Sequence, residues 1–462
     1  MSAKLDDICL FVLKEAECKG ADEVEAYAVS NKENAVFIEN NDLKQSKSDR
    51  TAELGIRVII DKSVGFSCVN MLQREYVERA VSEAIKLAKV SPTDQFNSMP
   101  TVMGNTLRSS SSSSSQTVDN IKKLEGIYDK KAEHITTSNV IDYAAQMLSS
   151  ARSFDNRVSI DSGSFTSSLM KHVLFNSNGI IRKETITSFI WSIMGMAVDN
   201  RETSNFDFQF AGTHSLDEIN VESTGRELAE SVITSLGSQK IGSFKGQVLL
   251  TPSATNEMIQ EVIAYSINSH VIQKKASKFE GKVGEYVASE LLTVEDDATN
   301  VKGLAASSFD REGVPHQRNV IIEKGILKTY IYNTYTSNKE SKQSTGNAAG
   351  SAKHPPGVST TNIIVKQGAS ELRHLVREIN EGIIINRFSG NVNPVNGDFS
   401  GVVKGGQYVK NGEVKYPVKE VMIAGNVFDA LKNIIGISKQ VKVLSDAILP
   451  HILLDNVSFT AG

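Results

Sequence analysis

What this chain lacks narrows it first. No stretch of its 462 residues approaches the roughly 20 apolar residues that a membrane helix requires. Cysteine is scarce: Cys9, Cys18 and Cys68 make no disulfide framework, and a reducing interior fits best. Neither charge dominates. With a formal net charge of −4, the composition gives no electrostatic reason for direct nucleic-acid binding. Residues 1–20 carry Asp6, Asp7, Lys14, Glu15 and Glu17 among apolar neighbours, the pattern of an amphipathic surface helix. A secretory leader would have a basic start and an unbroken apolar core instead. The expectation is a cytoplasmic chain without membrane contact, long enough for two or three domains and a full core without staples.

What is present reads as α+β: sheet-and-helix domains at the N-terminus and a β-rich domain at the C-terminus. Strand-like runs occupy Glu23–Ser30, Ala35–Ile38, Ala52–Ile60 and, after a turn at Asp61-Lys62-Ser63, Val64–Val69. Gln73–Val90 has helical spacing, with Val77, Ala80, Val81, Ala84, Ile85 and Ala88 on one face. The expected units are 1–92, a serine-rich linker over 93–117 containing Ser109–Ser115, a central domain over 118–237, and 238–462. The central unit predicts helices near Thr117–Ala132, Ser138–Ala151 and Asn220–Leu236 around long strands. Asn178-Gly179 signals a hairpin, because both residues tolerate positive φ. The last unit opens with strand Gln247–Leu250 and one long helix over Ser253–Gln273, followed by short strands and glycine-marked turns.

Several blocks in this last unit are distinctive: GKVGEYVASELLTVEDDAT (Gly281–Thr299), FDREGVPHQRNVIIEKGILKTYIYNTYTS (Phe309–Ser337), STGNA (Ser344–Ala348), NPVNGDFSGVVKGGQYVKNGEVKYPV (Asn393–Val418) and MIAGNVFDAL (Met422–Leu431). With LGIRVIIDKSVGFSCVN (Leu54–Asn70), they make the chain resemble the TldD/PmbA family over nearly its whole length. The resemblance implies a scaffold of zinc peptidases acting on unfolded or short peptides. Its TldD-like branch carries HExxxH and a cysteine near the C-terminus. Its PmbA (TldE)-like branch lacks them and completes a heterodimer. Family members have also carried the label of DNA gyrase modulator, which the charge balance here does not support as direct DNA binding.

Counting back from Ser277, the HExxxH position falls on Gln260–Tyr265: both histidines are gone, Glu261 stays, and the tail 441–462 has no cysteine. A hydrolytic zinc needs imidazole or thiolate ligands and an open position for water, and Gln260 and Tyr265 are poor substitutes. The resemblance therefore implies no catalytic residue and no metal in this chain, with zinc in a TldD-like partner. A histidine five positions along would sit about 140° around an ideal helix, so metal binding there needs a local distortion; Ala264-Tyr265 gives no reason to expect one. Glu261 reads as a helix-surface residue. Glu257, four residues earlier, shares its face, but two carboxylates are too few for an octahedral oxygen site. None of the eight histidines forms a ligand-spaced pair. His354, in a proline-flanked loop, is a candidate peptide contact. So are Asn393, Asn396 and Asp398 of a turn-rich segment, and Gly405-Gly406, where backbone can approach closely. The leading expectation is a non-catalytic heterodimer subunit. The alternatives are a stand-alone hydrolase with a relocated site and a peptide-binding homodimer.

Overall fold

The computed structural model describes residues 2–102, 121, 123–200 and 202–461. Most of the serine tract expected as a linker, Ser109–Ser115 included, lies outside these residues. Helix α1 (Ser2–Cys18) leads into strands β1 (Glu23–Glu39), β2 (Asp42–Ile60) and β3 (Ser63–Val69), then helix α2 (Arg74–Val90). The two strand runs expected over Glu23–Ile38 are one strand, paired along its whole length with β2. Asp61 and Lys62 take positive φ in the β2–β3 turn. Helix α2 buries Val77, Ala80, Val81, Ala84, Ile85 and Ala88, the face its spacing predicts.

Helix α3 (Thr137–Phe154) is followed by β4 (Val158–Asn176), β5 (Ile181–Asp199), the two-residue β6 (Glu202–Thr203), β7 (Asp207–Thr213) and helix α4 (Val221–Thr234). Thr136 caps α3 through a reciprocal side-chain and backbone pair with Asn139. The β4–β5 hairpin forms at Asn178-Gly179, with only Gly179 at positive φ. The helix expected over Thr117–Ala132 does not form in its described part. That stretch is an extended strap on β5: the Thr187 amide donates to the Ile127 carbonyl, and Asp129 caps a short 3-10 turn at Lys130–His134.

Strand β1 pairs with β4 from Glu25↔Asn176 to Glu39↔Ser162. Residues on either side of the serine tract therefore build one sheet, in the order β3-β2-β1-β4-β5 with β7 beyond β5. Alternation then assigns its faces. Val24, Ala26 and Ala28 of β1 pack with Leu54, Ile56 and Val58 of β2 under α1 and α2. Val36, Ile38, Phe165 and Trp191 pack under α3 and α4. Glu25, Tyr27 and Arg57 point the other way, toward the C-terminal domain.

That opposite face is joined by buried charge. Arg57 donates from Nη2 to Glu25 and from Nη1 to Glu312, each at 2.8 Å. Arg311 donates to the other Glu25 oxygen at 2.8 Å and lies 4.0 Å over the Tyr27 ring. All four charged side chains are buried. Burial works against the Glu25 carboxylate, but the guanidiniums of Arg57 and Arg311 more than offset it and hold its pKa below the ordinary glutamate value.

The C-terminal domain carries, among the described residues, a thirteen-stranded mixed sheet. Its strand β8 (Phe244–Leu250) pairs in parallel with Glu381–Ile385 and antiparallel with Ala447–Ala461. No helix of the described residues is long and apolar enough to cross a membrane. Cys9 is buried, Cys18 and Cys68 are exposed, and all three are free.

Two outcomes follow from this packing. A Cβ at Gly65 would lie 1.9 Å from the Ala84 carbonyl oxygen of α2, so Gly65→Ala should cost about 2–3 kcal/mol in denaturant unfolding. Gly242→Ala, into open space, should stay within about 0.5 kcal/mol. Glu25→Gln should cost about 3–5 kcal/mol near neutral pH, because it leaves buried Arg311 without a carboxylate and Arg57 with Glu312 alone. Because the folded pKa of Glu25 is lowered, its contribution is present above the unfolded value and is lost as pH falls through the folded one. Unfolding measured against pH should therefore show a shallower acid loss in Glu25→Gln than in the parent.

Candidate functional site

The long helix expected over Ser253–Gln273 departs from a regular α-helix in two places. Thr251 caps α5 (Pro252–Thr255), with Pro252 at the first helical position. A π-helical turn follows at Asn256–Gln260, then α6 (Glu261–Ile267) and, after extended Asn268, α7 (Ser269–Gln273). The Asn268 side chain accepts from the His270 amide and restarts the helix, while its backbone bridges to Ile331. The distortion considered unnecessary at Ala264-Tyr265 is thus present one turn earlier, ending at the first residue of the degenerate motif. Such turns are rare and cost regular hydrogen bonding. Here Asn256 Oδ1 and Thr255 Oγ1 are left buried without a partner among the described residues.

The π-turn also separates the two glutamates. Four residues no longer complete a turn when the repeat widens, so the shared face expected for Glu257 and Glu261 does not form. Glu261 is exposed. Glu257 turns inward, accepts from Arg387 Nε at 2.9 Å and from the Phe388 amide at 2.6 Å, and its charge is already paired with the Arg387 guanidinium. The Gln260 amide lies beside the Asp446 carboxylate, which burial holds above its ordinary pKa, and Tyr265 is half-buried. A cavity of about 260 Å³ lies beside this arrangement, walled by Phe208 and Phe210 of β7, by Asn256 and Glu257 of the π-turn, and by Arg387 and Asp446. Asp446, on a turn far along the chain, carries no sequence signal that would have joined it to Gln260. The donor set is an amide, a phenol, a carboxylate at the surface and another already paired with arginine. It does not fit a zinc ion.

Of the expected peptide contacts, the structure brings three together. Asn393, Asn396 and Asp398 form the tip between strands Arg387–Val392 and Asp398–Lys404. Asn393 Oδ1 accepts from the Val395 amide, Asn396 Nδ2 donates to Asp398, and Asn426 Nδ2 donates to Asp398 at 2.8 Å. Gly397 takes φ 83°. The turn satisfies its own polar groups. Gly405 and Gly406 sit at the far end of strand Asp398–Lys404. A Cβ on Gly406 would meet Val403 and Val418 within 2.8 Å, so the close approach there is to the chain's own side chains. His354 is exposed on a separate loop, held to β2 by a Lys353–Glu53 ion pair at 2.8 Å.

Comparison with known proteins agrees with this architecture. Residues 24–88, 130–236 and 243–461 match, in turn, PmbA/TldA metallopeptidase domain 1, the central domain and the C-terminal domain. An uncharacterized protein of Methanocaldococcus jannaschii, MJ0231, is 26% identical, over 90% of this chain and 91% of its own. A protein named Metalloprotease TldD homolog in Buchnera aphidicola is 26% identical, over 95% of this chain and 90% of its own. The crystal structure of TldE from Thermococcus kodakarensis superposes with a TM-score of 0.86 at 21% identity, covering 99% of this chain and 100% of that one, a likeness of fold.

If the hairpin tip is held by its own bonds, its variants should report on stability. Asp398→Ala should lower it by about 1 kcal/mol, through lost hydrogen bonds. Gly397→Ala, at positive φ and 2.5 Å from the Phe428 ring, should cost about 2 kcal/mol or more in thermal unfolding.

Proposed function

The chain belongs to the PmbA/TldD metallopeptidase family, and we propose that within it the protein is the PmbA/TldE-like, non-catalytic subunit of a cytoplasmic zinc peptidase complex. The zinc and the hydrolysis belong to a TldD-like HExxxH partner, and the substrates are unfolded or short peptides. The observation that carries this reading is the fate of the motif helix. Gln260 offers a neutral amide beside Asp446, Glu257 is paired with Arg387, and Tyr265 offers a phenol where a zinc site calls for imidazole or thiolate. Glu261 faces solvent with no metal-bound water to activate.

The contribution of such a subunit is enclosure. A chamber built by two chains admits an extended polypeptide and excludes a folded one, so the second chain supplies wall and access without chemistry. His354, exposed and with no side-chain partner among the described residues, stands as a peptide-facing residue on this reading.

Co-expression with an HExxxH homologue from the same genome should yield a stable complex with one zinc in the partner, and cleavage of an unfolded peptide only by the mixture. Chelator-sensitive cleavage by this chain alone would favour a stand-alone hydrolase. Peptide binding by a homodimer that ignores the homologue would favour a holding protein. Either result overturns the proposal.

A further inference from the structure

A second and larger cavity, about 760 Å³, lies where the N-terminal sheet meets the C-terminal domain, bordered by Asn268 and His270 just beyond the motif helix. Its walls include Arg57 of β2, Asn97 after α2, His270 of α7, Asn333, Tyr335 and Pro356. The volume is in the range of sites that hold small organic or peptide ligands. Most of its polar lining is committed. Asn333 donates to the Gly357 carbonyl and accepts from the Thr336 amide, and Tyr335 donates to Asp94.

Two groups are not. Arg57 is 7% exposed, and its Nε–H has no partner among the described residues, although both its Nη atoms are bonded. A donor left unmet in a buried site keeps its full desolvation penalty. Asn97 donates through Nδ2 to the Lys62 carbonyl at 2.8 Å, while its Oδ1 accepts no hydrogen bond from the described residues.

The kind of acceptor that Arg57 seeks follows from its charge. The circuit of Arg57, Arg311, Glu25 and Glu312 is neutral overall, so it has no net positive charge to draw an anion. A neutral carbonyl needs no such charge. One free donor and one free acceptor are the complement of a single amide unit, and Pro92, Pro355 and Pro356 offer apolar contact around it.

We propose that this cavity binds an uncharged amide ligand, a segment of extended polypeptide, with one carbonyl on Arg57 Nε–H and one N–H on Asn97 Oδ1. The site rests on the reading above for the supply of peptide, and does not depend on the partner chain.

The test uses the full chain alone. A fluorescein-labelled unfolded peptide, capped at both ends, is titrated by anisotropy beside the same peptide with a free C-terminal carboxylate. The capped form should bind saturably and at least as tightly. Asn97→Leu should weaken it roughly five- to tenfold, with thermal unfolding checked in parallel. Val64→Trp, which fills the cavity from β3, should weaken it as well. A benzophenone side chain at position 270 should crosslink the peptide, and one at exposed position 415 should not. Absence of saturable binding, dependence on the free carboxylate, unchanged affinity in both variants, or equal crosslinking from position 415 would each overturn the proposal. Co-purification with an HExxxH homologue is read separately, so this site and the subunit reading can fail independently.

Discussion

The rest of the molecule depends on a short circuit of buried charge. Glu25 holds Arg57 and Arg311, and Arg57 holds Glu312, which in turn accepts the Thr334 amide at the start of a short helix. Two of these residues belong to the first sheet and two to the C-terminal domain. Buried ion pairs add little net stability over apolar packing, because desolvation consumes most of the attraction. Their effect here is to make docking obligatory. Glu25 and Arg57 pair with each other across β1 and β2, but their remaining hydrogen-bonding capacity is met by Arg311 and Glu312, so docking against another surface would forfeit those two pairs.

Several features of the site depend on that joint. With the sheet docked, the loop carrying His354 lies along β2; a Cβ at Gly55 would sit 2.5 Å from the Ala352 carbonyl oxygen. The same docking makes Arg57 both a structural ion and a wall of the larger cavity. The smaller cavity has a parallel construction: β7 of the first sheet supplies Phe208 and Phe210, and the C-terminal domain supplies the π-turn and Asp446. Both cavities are therefore properties of the interface.

The amphipathic elements were legible because a single periodicity governs each of them. Helix α2 buries the face its spacing marks, and the β2–β3 turn falls at Asp61-Lys62, where two polar residues tolerate positive φ. The motif helix was legible in its residue types but not in its path. Nothing in Ser253–Gln273 forbids a regular helix, and the π-turn coincides with the pairing of Glu257 to Arg387, a partner 130 positions away. The docking residues had a signal that went unused. Glu25 between Val24 and Ala26, and Arg57 between Ile56 and Val58, are charges inside runs too apolar to be a solvated face. The strap over 123–129 was misread because a few apolar residues at helical spacing cannot reveal that their backbone partner is a distant strand.

The pairing of β1 with β4 has a consequence for synthesis. Until residue 176 has emerged from the ribosome, one long edge of β1 has no neighbour, and its alternating apolar side chains stand beside unmet backbone donors and acceptors. At ordinary translation rates that interval is on the order of ten seconds. A nascent chain in that window is a template for any extended polypeptide that meets it, its own siblings on the same message included. The opening strand of this protein is thus the part most in need of a chaperone, and the need ends abruptly when its partner arrives.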